Sequence, residues 1–177
     1  EIKKRYGRLD ILVNNAGWAP VTSFSEVKME EYDKVFGINV RALVNMTLHV
    51  LPLIKAAKGN IINISSDICQ NHLPNMSMYA GTKAAVDIFT QIWAKELAAD
   101  GVRVNAVSVG PIKTPIYDKT DLDAAGIKAH IERVTKAIPL GHFGRPEDVA
   151  AVISFLASDE AKFVTGSIYG VDGGFGA

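Results

Sequence analysis

The sequence predicts an α/β domain built on a doubly wound parallel sheet. Three observations lead there: short β-branched apolar runs, longer stretches with helical apolar spacing, and the alternation of the two along the chain. The runs at residues 9–13, 60–64, 102–107 and 167–171 lack clean polar/apolar alternation, so they read as strands covered on both faces. Residues 1–8 read as the last turns of a helix closed by Gly7. No N-cap precedes them and the first residue is Glu1, which leads to the expectation of a truncated chain. Between the first two strands, residues 29–57 repeat apolar positions at Phe36, Val40, Leu43, Val44, Leu48 and Leu51, and Pro52 is expected to end or kink that helix. Residues 78–99 carry Val86, Phe89, Trp93 and Leu97 on one stripe, with Gly101 where a helix terminates. Pro146 suits a first helical position, and Val149, Val152, Ile153 and Leu156 follow at core-facing spacing.

Length and composition narrow the class. The chain has 177 residues, the size of one domain, and 48% of them are hydrophobic, enough to bury a core. Nineteen Lys and Arg balance 19 Asp and Glu, which argues against nucleic acid and anionic membranes as partners. A single cysteine, Cys69, excludes a disulfide framework and makes the reducing cytoplasm the expected compartment. Charges are expected to interrupt every apolar run short of the roughly eighteen residues of a membrane span, and no signal peptide is recognised. His49, His72, His130 and His142 are too dispersed to suggest a metal site.

Chemistry is suggested in two places. The first strand empties into Asn14-Asn15-Ala16-Gly17, small residues and amides at the carboxyl end of a parallel strand, where open α/β sheets bind ligands. The same residues also suit a polar turn that merely ends a strand. The second place is the spacing Ser66-x12-Tyr79-x3-Lys83. Tyr79 and Lys83 share a helix face, so the ammonium can sit beside the phenol and lower its pKa. A hydroxyl from a neighbouring strand end can then hold a substrate oxygen for proton transfer. The bland alternative is a half-buried tyrosine with a snorkelling lysine.

Taken in order and spacing, Asn14-Asn15-Ala16-Gly17, Asn39, Ser66, Tyr79 and Lys83 resemble the short-chain dehydrogenase/reductase family. Asn105-Ala106-Val107, Gly110-x-Ile112-x-Thr114, Gly144-Arg145-Pro146-Glu147 and Val171-Asp172-Gly173-Gly174 extend the resemblance over essentially the whole chain. The resemblance implies a Rossmann-like fold and an NAD- or NADP-dependent oxidoreductase that interconverts an alcohol and a ketone. It implies Tyr79 as general acid/base and Lys83 as its electrostatic partner on the nicotinamide ribose. Ser66 would orient the substrate oxygen, and Asn39 would hold a water in a proton relay. Asn14, Ala16 and Gly17, with Tyr79 and Lys83, would meet the cofactor, as would Ile112 and Thr114 at the carboxamide. A homodimer or homotetramer is implied too, in keeping with Ile88 and Ile92, which lie off the main stripe of their helix.

Two features depart from the family pattern. Val109-Gly110 stands where the family has Pro-Gly, loosening a turn beside the nicotinamide. The family's first strand, Gly-rich phosphate turn and ribose-reading residue find no counterpart before Asn14. Residues 1–177 are therefore read as one partial domain, expected to be inactive alone. The alternative function is a non-catalytic dinucleotide sensor or scaffold of the same fold, against which the acid/base set speaks. Residues 67–78 and 115–139 are the expected walls of the substrate pocket, the latter with Leu122, Ile127, Ile131 and Val134 as a possible lid.

Overall fold

The computed structural model describes residues 1–114 and 123–177. Four parallel strands form one sheet in the order β1 (Ile11–Asn14), β2 (Asn60–Ser66), β3 (Arg103–Val109), β4 (Ile168–Val171). A short α1 (Ile2–Tyr6) precedes them and ends at Gly7 with φ 70°, as its sequence predicts. Helices fill every crossover: α2 (Met29–Phe36) and α3 (Ala42–Ala57), then α4 (Ile68–Asn71) and α5 (Ser77–Glu96), then α6 (Ala124–Ala137) and α7 (Pro146–Ala157).

Both faces of the inner strands are covered, which accounts for their unbroken apolar character. On one face Ile61 and Val104 pack with Ile54 of α3 and with Ala94 and Leu97 from the end of α5. On the other, Ile62 and Val107 pack with Leu156 of α7 and Ala161. Among the described residues, strand β1 pairs with β2 alone, and its Ile11 and Val13 are exposed.

Of the two outcomes expected at Pro52, an end to the helix does not occur. The chain stays helical through Pro52 to Ala57 because Ile54, beyond the proline, is fully buried in the core and holds the last turn in place. The helical stretch Met29–Ala57 is long and apolar enough, by length and composition, to cross a membrane, although charges interrupt it as expected, Arg41 and Lys55 bounding its longest uncharged run. Its apolar residues split between two sides: Leu43 and Ile54 face the protein, while Met46 and Leu48 are exposed. Between α2 and α3 a wider π turn, Gly37–Arg41, places Asn39 in the interior.

The missing proline before Gly110 is offset by pairing. Gly110 donates its N–H to Val171, and Ile112 bridges to Gly144. Gly110 itself is required, since a Cβ there would overlap the Asp172 side chain and lie 2.6 Å from its Cα. Gly110→Ala is expected to destabilise the fold by about 1–3 kcal/mol through overpacking, read as a lower midpoint in urea denaturation.

Candidate active site

The strand register brings the separate motifs to one end of the sheet. Asn14 is level with Asn63, and Ser66 with Val109, so the segments after β1, β2 and β3 all emerge at the carboxyl edge. Helix α5 packs along the face of β2 and β3, and its N-terminal half, at this edge, carries Tyr79 and Lys83 one turn apart.

Buried amides fix these parts to one another. Asn14 Nδ2 donates to Asn63 Oδ1 at 2.9 Å and to Thr47 Oγ1 at 3.1 Å, and Asn63 Nδ2 donates to Thr90 of α5 at 2.9 Å. Asn39 Oδ1 accepts from the Trp18 N–H, and its Nδ2 donates to the Trp18 carbonyl and to Thr82 Oγ1 on α5. The side chains of Asn14 and Asn39 are thus engaged as braces.

Lys83 is buried, and its Nζ donates to the Ile64 carbonyl at 2.8 Å. A Cβ on Gly17 would stand 3.7 Å from that nitrogen and 3.6 Å from Asn39 Oδ1, so the loop surface beside the ammonium is bare of side chain. Such a bare surface fits the ribose of a nicotinamide nucleotide, with Ala16 and Gly17 exposed above it. Ile112 and Thr114 extend from the neighbouring strand end. A phosphate-binding Gly-rich turn is absent from the described residues, so what fits is the nicotinamide half.

The electrostatics differ from the sequence expectation. Burial, the largest cause, raises the Tyr79 phenol, with Asp67 and Cys69 adding to the rise and Ser66 opposing it. Lys83 Nζ lies 5.7 Å from the centre of the Tyr79 ring and is spent on Ile64, so it does not depress the phenol here. Burial also lowers Lys83 itself to about 8, against the opposing pull of Asp87 and Cys69.

Asp87 was not singled out by sequence, although the step Tyr79, Lys83, Asp87 repeats every four residues and was there to be read. Thr82, Thr90 and Asn63 gave no such sign, since single polar residues in a helix or strand do not announce a partner. Cys69 has its thiol pushed up to about 12 by burial, in keeping with a packing role. No cluster of metal-binding groups occurs among the described residues. Of the expected pocket walls, residues 67–78 lie beside Ser66, whereas 115–122, including Leu122, fall outside the described residues.

A parallel sheet with flanking helices, carrying Ser66, Tyr79 and Lys83 at its carboxyl edge, defines a short-chain dehydrogenase/reductase, and the chain belongs to that family. The matching family model, described as Enoyl-(Acyl carrier protein) reductase, spans residues 1–176. The chain is 43% identical to 3-oxoacyl-(acyl-carrier-protein) reductase FabG of Thermotoga maritima, over 98% of this chain and 69% of that protein. It is 40% identical to L-xylulose reductase of Bos taurus, over 96% of this chain and 68% of that protein. Among solved structures, the ligand-free aldohexose dehydrogenase of Thermoplasma acidophilum superposes with a TM-score of 0.91 at 31% identity, covering 98% of this chain and 70% of that one. These relatives are oxidoreductases by name.

The depressed Lys83 pKa has a consequence for stability. The unfolded chain holds this proton up to the ordinary 10.5 and the folded chain only to about 8, so folding is penalised below 8 and relieved as the pH rises toward 10.5. Lys83→Met is expected to raise thermal stability at neutral pH, by about 3 kcal/mol at most, less the lost Ile64 hydrogen bond. The gain is expected to shrink toward pH 10.5, and melting curves of both proteins across this range check it.

Proposed function

We propose that these residues form the reaction centre of an NAD- or NADP-dependent oxidoreductase that interconverts an alcohol and a ketone. The observation that supports this most is the convergence of Ser66, Tyr79 and the buried Lys83 at the carboxyl edge, with bare Gly17 beside the ammonium. When bound there, a nicotinamide supplies or accepts the hydride.

The chain's own residues carry the proton chemistry. Ser66 orients the substrate oxygen beside Tyr79. Tyr79 gives its phenolic proton to that oxygen in reduction and takes it back in oxidation. With burial raising its pKa, Tyr79 rests as the phenol, the form that serves as donor to a carbonyl. Lys83, held at the Ile64 carbonyl, would bind the ribose hydroxyls of a nicotinamide cofactor through its remaining ammonium hydrogens. The π turn at Asn39 keeps a water in line between Lys83 and solvent. Ala16 and Gly17, beside Asn14, would hold the nicotinamide ribose, and Ile112 and Thr114 would hold its carboxamide.

A self-association surface accompanies this reading. Ile88 and Ile92 on α5 are 53% and 46% exposed, and Met46 and Leu48 on α3 add to the apolar area. We assign this surface to subunit pairing in a homodimer or homotetramer. The proposed compartment is the cytoplasm, in keeping with a lone Cys69 held as a thiol.

In the full-length protein, Tyr79→Phe is expected to lower kcat by about 10² to 10⁴ for a panel of small alcohols and ketones while sparing cofactor affinity. Lys83→Ala is expected to weaken both, and absorbance of the reduced nicotinamide follows each. Near-normal turnover in Tyr79→Phe would overturn the assignment. Ile88→Glu combined with Ile92→Glu is expected to yield a monomer in light scattering where the parent is an oligomer.

A further inference from the structure

We propose that Asp67 is a positioning residue that sets the hydrogen-bonding direction of Ser66: protonated, it turns Ser66 into a donor for a carbonyl, and ionised, it turns Ser66 into an acceptor for an alcohol. The inference rests on the oxidoreductase reading above. It begins with a count of what one serine hydroxyl can do.

Ser66 Oγ has a single hydrogen and two lone pairs. One lone pair accepts the Ile68 N–H at 3.2 Å, and the hydrogen goes to Asp67 Oδ1 at 3.2 Å. With that hydrogen committed to Asp67, only the second lone pair faces the Tyr79 side of the site, where the phenol is also within hydrogen-bonding reach; it can accept from an alcohol but gives nothing to a carbonyl. A proton on Asp67 reverses the arrangement. The carboxylic acid then donates to Ser66 Oγ, both lone pairs are filled, and the serine hydrogen is free to meet a carbonyl oxygen. The proton comes from water and stays on Asp67, so none is consumed beyond the one Tyr79 transfers.

The surroundings of Asp67 suit such a change. Its side chain is buried beside Ser66, and Oδ2 accepts from Asn71 Nδ2 at 3.0 Å, which leaves Oδ1 as the oxygen shared with serine. Facing it from the C-terminal segment is Asp172, across Gly110 and Gly176. A Cβ at Gly110 would lie 3.2 Å from Asp67 Oδ2, and one at Gly176 would lie 3.4 Å from Asp67 Cβ and 2.9 Å from Asp172 Oδ2. Asp172 accepts the N–H groups of Gly174 at 2.8 Å and Gly176 at 3.0 Å, which fixes its carboxylate on this side of Asp67. The titratable groups facing Asp67 are therefore Asp172 and, from α5, the Tyr79 phenol. Ser66 and Asn71 are its neutral partners, and no ion pair to Asp67 forms among the described residues. Burial first, then the Asp172 charge, hold the Asp67 carboxyl at about 6, within reach of cellular pH.

The test uses the full-length protein with a carbonyl substrate and reduced cofactor. As pH rises through about 6, kcat/KM for reduction is expected to step down about tenfold, the worth of one hydrogen bond to the reacting oxygen. In Asp67→Asn the Asn71 contact holds the amide oxygen, so the amide N–H faces Ser66 at every pH and the step disappears. Asp172→Asn removes the neighbouring charge and moves the step to lower pH. Carbon-13 NMR of the aspartate carboxyls reads the same group without turnover: one carboxyl titrates near 6, vanishes in Asp67→Asn and shifts down in Asp172→Asn. A step that survives in Asp67→Asn, or the lack of any carboxyl titrating near 6, overturns the proposal. A flat parent profile with Tyr79→Phe inactive overturns the Ser66 switch alone. Full turnover in Tyr79→Phe overturns the oxidoreductase reading and the switch with it.

Discussion

Buried amides in the layer between the sheet and α5 must be satisfied, and the rest of the site is arranged around that requirement. A buried amide without partners costs on the order of 1–3 kcal/mol, so Asn63 and Asn39 are tied to definite neighbours, the half-buried Asn14 among them. Asn63 links β1 to α5 through Asn14 and Thr90, and Asn39 links the loop at Trp18 to α5 through Thr82. Each bond joins segments far apart in sequence. Together they set the height of the Gly17 loop above Lys83 and the position of α5 along the sheet face.

Burial that secures the frame also sets its electrostatics. Lys83 and Tyr79 are both pushed toward their neutral forms, because the low-dielectric interior penalises charge. The same effect raises Asp67 and Asp87, so two carboxyls and an ammonium near one another all sit away from their ordinary values. Perturbed groups gathered at a cleft are a mark of sites that move protons. Fold likeness alone would not support that reading, since relatives with this architecture are named for acyl-carrier, sugar and aldohexose chemistry.

Helix α5 serves three surfaces at once. One side carries Val86 and Ala94 into the core, a second places Tyr79 and Lys83 at the carboxyl ends of the strands, and a third leaves Ile88 and Ile92 exposed. Three demands on twenty residues explain its weak amphipathic signal. They also explain why its polar residues are buried: Thr82, Lys83, Asp87 and Thr90 lie toward the strand ends and the amide frame.

By itself the sequence determined the α/β class, the four strands, the cap at Gly7, the helix from Pro146 and the membership of Ser66, Tyr79 and Lys83 in one constellation. The fold features follow from local rules, since periodicity, left-handed caps and one-turn spacing need only neighbouring residues, whereas grouping Ser66 with Tyr79 and Lys83 came from the family resemblance. Tertiary structure alone decided that the helix runs past Pro52, because the burial of Ile54 depends on Ile61 and Val104 far along the chain. It decided too that the side chains of Asn14 and Asn39 act as braces, and that Tyr79 is raised rather than lowered. The approach of Asp172 to Asp67 across Gly110 and Gly176 also belongs to it. Burial and the meeting of distant groups set these features, and neither is written in the spacing of a single segment.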